Sequence, residues 1–166
     1  MIKISNVLVA TDFGPASDSA LSYGREFART FGAKLHVLHV VESEMVSAGP
    51  EAAGIDFESL QRDLEAGAQA TLRRLVTPED REQLKAVTVV RPGNAPALEI
   101  VGYARDAAVD VIIMGTHGRG FAGHLLMGSV AEKVVRIAGC PVLTVRHPEH
   151  EFLLPDALQV VTTSRQ

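Results

Sequence analysis

The chain has 166 residues, 46% of them hydrophobic, which suits one domain able to bury most of its apolar surface. A formal net charge of −4 and a pI near 5.8 argue against nucleic acid as an obligate partner, because a phosphate backbone calls for basic patches. No apolar run approaches the ~18 residues of a membrane span, and no basic segment leads into a short apolar one, so neither membrane nor signal peptide is expected and the cytoplasm is the expected compartment.

The first strand reads from Ile4 to Ala10, and Thr11-Asp12-Phe13-Gly14 is the turn that leaves it. Pro15 or Ser17 starts a helix whose buried face is expected to carry Ala20, Gly24, Phe27, Ala28 and Phe31, with Gly32 closing it. Lys34 to Val41 is a second strand. His36 and His39 lie three apart on it, so they face opposite sides, cannot share a metal and read as core or rim histidines. Residues 42–54 form a loop of small residues without periodicity, which is the pattern of a functional lid or a disordered segment. A helix follows from about Asp56 to Val76, with Phe57, Leu60, Leu64, Ala68, Leu72 and Leu75 as its apolar stripe. Glu58, Arg62, Glu65 and Arg73 make its solvated face. Pro78-Glu79-Asp80 breaks that helix, Lys85 to Val90 is a third strand, Arg91 to Asn94 a turn, and Ala95 to Ala107 a third helix.

The richest stretch runs from Asp110 to Arg146. Val111-Ile112-Ile113-Met114 has the continuous apolar character of a buried parallel strand. Gly115 ends it, and a loop with Gly118, Gly120 and Gly123 follows. Gly128-Ser129 opens a helix with Val130, Val134, Ile137 and Ala138 at helical spacing. Gly139 suits its C′ position, and Pro141 to Val145 is the fifth strand. Lone Cys140, beside Pro141, has no internal disulfide partner and reads as a small buried hydrophobe in a reducing compartment. Glycines let backbone N–H groups approach an anion, and a helix N-terminus adds unpaired donors and a positive dipole end. Gly128, Ser129 and Val130 are the expected donors, with the Ser129 hydroxyl as one more, and a phosphate is the natural guest.

Three patterns compete for this loop. Gly118-x-Gly120-x-x-Gly123 matches the dinucleotide fingerprint, but the helix begins later, near Gly128, and position 143, where an acid would hold the ribose, is Leu143. Gly123-x-x-x-x-Gly128-Ser129 is a P-loop without its lysine. The third, Gly115-x-x-Gly118, nine residues, then Gly128-Ser129, matches without a gap the nucleotide-binding signature of the universal stress protein family. The resemblance extends over residues 3–146 and includes Val7-Leu8-Val9-Ala10-Thr11-Asp12, Leu38-His39-Val40 and Pro141-Val142-Leu143-Thr144-Val145. With its glycine series the chain resembles the ATP-binding branch.

Strands alternating with helices argue for a parallel sheet with helices on both faces. The resemblance implies the rest: a three-layer, open, five-stranded α/β fold of the adenine nucleotide alpha hydrolase type, with strand order 3-2-1-4-5. That order puts a topological switch between strands one and four, where Asp12 and Gly115 would meet. By resemblance, Ala10, Thr11 and Asp12 border the adenosine, with Asp12 an acceptor for ribose hydroxyls or, alternatively, a turn cap. Val40 and Met114 pack near adenine or are ordinary core residues. Gly115, His117 and Gly118 begin the phosphate loop, His117 being a phosphate donor or a solvent-facing histidine, and Gly128, Ser129 and Val130 complete it. Arg119 reads as exposed.

The function that the resemblance implies is that of an ATP-binding stress protein acting as a nucleotide-sensing, regulatory module in the stress response, with ATP accompanied by Mg or Mn as its cofactor. No carboxylate cluster, P-loop lysine or Ser-Gly-Gly loop after strand one points to dedicated catalysis. Slow ATP hydrolysis and an interaction module without nucleotide are the alternatives. The resemblance also implies a homodimer paired through Pro141 to Val145. Residues 147–166 depart from the family's usual end. Phe152, Leu153, Leu154, Leu158, Val160 and Val161 are too apolar for a solvated tail, so this extension is expected to pack on the 1–146 domain or its dimer partner, with Leu158 to Thr163 as an added strand.

Overall fold

Val7, Leu8 and Val9 are fully buried because their strand, β1 (Asn6–Ala10), runs through the middle of a sheet covered on both faces. The structure, a computed structural model, describes residues 2–42, 56–117 and 127–147, with the backbone of 152–153 and 160–161. After β1 come α1 (Pro15–Phe31), β2 (Lys34–Val41), α2 (Phe57–Leu75), α3 (Pro78–Gln83), β3 (Val87–Pro92), α4 (Pro96–Asp106), β4 (Val111–Gly115), α5 (Ser129–Ile137) and β5 (Val142–Val145). The sheet is parallel throughout with order β3-β2-β1-β4-β5, which is the expected topology. Beyond it, β6 (Phe152–Leu153) pairs antiparallel with β7 (Val160–Val161), Phe152 opposite Val161. How the tail sits on the domain lies outside the described residues.

Side-chain alternation splits the core in two. Val7, Val9, Leu35, Val37 and Ile113 face α1 and α2, with Ala20, Leu21 and Leu72. Leu8, Ala10, Leu38, Ile112 and Met114 face α4 and α5, with Ile100, Ala104 and Val134. Local signals fix the helix ends. Pro15 opens α1 and Gly32 closes it at φ 62°, donating to the Ala28 and Arg29 carbonyls. Asp56 caps α2 by accepting the Ser59 N–H at 3.0 Å.

Several local readings change. Pro78-Glu79-Asp80 not only stops α2 but nucleates α3, because Thr77 and Asp80 form a reciprocal capping box. Asp80, 3% exposed, also takes the Arg25 guanidinium from α1 at 2.9 Å. Burial alone would raise its carboxyl pKa, but hydrogen bonds from Arg25 and Thr77 outweigh that and hold it below the ordinary value. The third strand starts two residues later than expected, since Lys85 turns the chain at φ 49°. Phe31 is 48% exposed, and Leu60 and Leu64 are each 38% exposed; α2 buries Ala68 and Leu72 of its stripe. Gly139 is not a left-handed cap: α5 ends on Ala138 in extended backbone, φ −66° and ψ 138°. Cys140 is half-buried rather than buried, with its thiol pKa raised by burial and by Asp110. Apart from Glu42, the loop expected over 42–54 lies outside the described residues.

Candidate functional site

A cleft of about 1450 Å3 opens where β1, β2 and β4 end, beside the point at which the order reverses between β1 and β4. Open α/β sheets place ligands at such a point because the adjacent loops diverge to opposite faces. Ala10, Thr11, Asp12, Val40, Met114, Gly115, His117, Gly128, Ser129 and Val130 all line it. Gly118 lies outside the described residues, as do Gly120 and Gly123.

The apolar wall follows from register. Ala10 sits opposite Leu38 on one side and Met114 on the other. All three belong to the α4–α5 face, where Val40, Met127 and Val130 pack partly buried. This wall suits a flat, uncharged ring.

The β1–α1 turn is a chain of hydrogen bonds. The Phe13 N–H donates to Thr11 Oγ1 at 3.0 Å. Because the single Ser17 hydroxyl proton is committed to the Gly14 carbonyl at 2.8 Å, the Thr11 hydroxyl donates to Ser17 Oγ at 3.0 Å. Asp12 Oδ1 accepts the Gly14 N–H at 3.1 Å, a turn-capping contact that presents the carboxylate at the cleft. Phe13 holds φ 64°, a left-handed conformation unfavourable for a bulky residue and retained only where surroundings impose it. Its ring lies 4.2 Å from that of His39. The His39 Nδ1–H donates to the Thr11 carbonyl at 2.8 Å, which fixes the ring at the cleft. His36, on the other face, meets Tyr103 Oη at 2.7 Å and Asn6 Oδ1 at 3.3 Å. Asn6 Nδ2 donates to the Ala108 carbonyl, so its Oδ1 accepts from His36 Nε2, and Nδ1 accepts from Tyr103. The two histidines do face opposite sides.

The glycines act through close approach. A Cβ on Gly115 would lie 2.8 Å from Ala16 Cβ, so only glycine lets β4 end against the α1 N-terminus. At Gly128 a Cβ would lie 3.1 Å from the Thr116 carbonyl, to which the Gly128 N–H donates at 2.7 Å. That N–H is therefore committed, and the donor set moves one residue along. Glu132 makes the first helical bond, to the Gly128 carbonyl, leaving the N–H groups of Ser129, Val130 and Ala131 without intrahelical acceptors. Thr116, 9% exposed, holds its N–H on the Val145 carbonyl and its hydroxyl 2.9 Å from His117 Nδ1.

Sequence reasoning missed Phe13, Ser17, His39 and Thr116 at this cleft. His39 carried a signal: it sits at the end of a strand beside the Asp12 turn, on the face opposite Leu38 and Val40. The α2 residues Leu64, Gly67, Thr71 and Arg74 also line the cleft and carried none, because they belong to an ordinary amphipathic helix. Among the described residues no group of three or more His, Cys, Asp or Glu side chains is placed to hold a metal ion, and no helix is long and apolar enough to cross a membrane.

The model of the universal stress protein family matches residues 3–146. The chain belongs to the universal stress protein family. A universal stress protein of Methanocaldococcus jannaschii is 32% identical over 87% of this chain and 84% of its own. The structure of UspA from Lactobacillus plantarum superposes with a TM-score of 0.75 at 25% identity, covering 88% of this chain and all of that one. A universal stress protein from Archaeoglobus fulgidus solved in complex with dAMP superposes at 0.58 and 22% identity, over 87% of this chain and 99% of its own. At that identity the likeness shows the fold.

Proposed function

We propose that this universal stress protein binds an adenine nucleotide, with ATP as the leading ligand, and acts as a nucleotide-sensing regulatory module in the stress response. The observation that carries the reading is the meeting, at one cleft, of an apolar wall with a helix end bearing free N–H donors. Adenine would lie on Ala10, Val40 and Met114, with Asp12 at the ribose. The phosphates would lie on the Ser129, Val130 and Ala131 N–H groups and the Ser129 hydroxyl, with His117 nearby and Gly118 in the loop. The dAMP held by the Archaeoglobus fulgidus relative supports the adenine. A Mg or Mn ion would arrive on the phosphates rather than on a protein cluster, Asp12 being the carboxylate of the adjoining turn. The same reading includes a homodimer through the edge strand β5, whose Val142, Leu143 and Thr144 are only half-buried. It places the protein in the cytoplasm, with hydrolysis at most slow.

The test is calorimetry on protein verified free of nucleotide, titrated with Mg-ATP, AMP and GTP, with phosphate release followed in parallel. The expected result is saturable binding of ATP, weaker binding of GTP, and no sustained phosphate release. Absence of ATP binding would leave an interaction module. Steady turnover would make the protein an enzyme.

A further inference from the structure

The cleft continues past the switch point on to the second face of the sheet. Its first arm, described above, lies on the α4–α5 face with Ala10, Leu38, Val40 and Met114. The other arm lies on the α1–α2 face: Phe13 packs on the core there, and His39, alternating with Leu38 and Val40, points the same way. The α2 residues Leu64, Gly67, Thr71 and Arg74 form its outer wall. At 3.6 residues per turn they share one side of the helix. The two arms meet at the Thr11-Asp12 turn and the Ser129 end of α5, which line the same cleft. A drug-sized ligand fills a pocket of roughly 300–1,000 Å3, so the full 1450 Å3 exceeds what one mononucleotide needs.

The chemistry of the second arm narrows its guest. Phe13 and His39 present a pair of rings 4.2 Å apart, and Leu64, 38% exposed, adds apolar surface to the same cleft. Aromatic faces stack nucleobases without sequence preference. The charged groups lean acidic: Arg74, bonded to Thr71 Oγ1 at 3.3 Å, is outnumbered by Asp63 and Glu42. A purely anionic tail would meet Asp63, whereas an uncharged ring would not. Strain points the same way, since Phe13 at φ 64° is held by the Thr11–Ser17–Gly14 bonds in the conformation that puts its ring at the cleft.

We infer that the cleft accommodates a dinucleoside polyphosphate, one base on the Ala10–Met114 wall, the phosphate chain across the junction and the second base on Phe13 and His39. This rests on the adenine-nucleotide reading and deepens it by assigning the arm that a single nucleotide leaves empty. Gly67 supplies the test. A Cβ there meets nothing within 4 Å, and replacing a mid-helix glycine favours the helix, so Gly67→Phe fills the arm while keeping the fold. Diadenosine tetraphosphate and ATP are titrated separately into wild type, Gly67→Phe and His39→Ala by calorimetry. In wild type the dinucleotide should bind at least tenfold more tightly than ATP. Gly67→Phe and His39→Ala should lose that advantage, with ATP affinity in Gly67→Phe unchanged within twofold. Equal affinities of the two ligands in wild type, or an advantage that survives both substitutions, overturn the second arm while leaving the ATP reading intact. Failure of both ligands to bind wild type overturns both readings. Binding of the dinucleotide without ATP would support the two-armed site and remove ATP as the ligand.

Discussion

Replacing Ser129 with proline isolates the contribution of the α5 N-terminus. Ser129 is the first residue of α5, a position where proline is well accommodated because its missing N–H has no helical acceptor. Gly128 before it already holds φ −73° and ψ 155°, the extended geometry favoured ahead of proline. Ser129→Pro should therefore leave the unliganded melting temperature within about 2 °C. It removes one N–H and one hydroxyl from the proposed phosphate site, and hydrogen bonds to charged groups are worth about 1.5–3 kcal/mol each. Loss of one at about 2 kcal/mol weakens ATP about thirtyfold, and loss of both weakens it about a thousandfold. A ligand at a hundredfold excess over Kd stabilises the native state by about 2.7 kcal/mol, a thermal shift of about 5–10 °C for a domain of this size. At the same ATP concentration, thirtyfold weaker binding leaves about 0.9 kcal/mol, or about 2–4 °C. Differential scanning fluorimetry with and without Mg-ATP reads both values. An undiminished ATP shift in a folded Ser129→Pro variant would refute placement of the phosphates at this helix end.

Three further expectations come from other parts of the molecule. Gly115→Ala puts a methyl 2.8 Å from Ala16 Cβ and 3.0 Å from the Ala16 carbonyl carbon, so α1 must shift. Thermal melts should show a loss of about 1–3 kcal/mol, and an unchanged melting temperature would mean that the approach is slack. His36 is 5% exposed, and its pKa is lowered from 6.5 to about 4 by burial first and by Lys34 second. Tyr103 and Asn6 face it, with Arg91 over the Tyr103 ring. The unfolded chain takes up a proton that the folded one refuses, so stability is full above about pH 6.5 and falls toward pH 4 by at most about 1.4 kcal/mol per pH unit. Urea melts should show this slope in wild type and a shallower one in His36→Gln; parallel curves would place the pH dependence elsewhere. Leu143→Lys adds a charge to edge strand β5, so the proposed dimer should sediment as a monomer; wild type already monomeric at micromolar concentration would dispose of that interface.

The sequence by itself determined the parts that rest on local chemistry. Apolar runs placed β1, β2 and β4, Pro15 and Gly32 bounded α1, and the spacing from Gly115 to Ser129 located the loop and helix end. These survive because a buried parallel strand must be apolar on both faces and a helix must cap its own ends, whatever surrounds them. Where a signal depends on a neighbour in space, it failed. Asp80 read as part of a helix break, yet the Arg25 pairing and the Thr77 box make it the centre of α3. Gly139 read as a left-handed cap, and the chain passes it in ordinary backbone. The Gly128 N–H read as a phosphate donor, and the Thr116 carbonyl takes it. Only the tertiary structure brought Phe13, His39 and the α2 residues to one cleft, since they are distant along the chain. Periodicity could tell which side of α2 is apolar, but it carries no information about how much of that side reaches the sheet. The packing decided that Ala68 and Leu72 would be buried and that Leu64 would remain at the cleft.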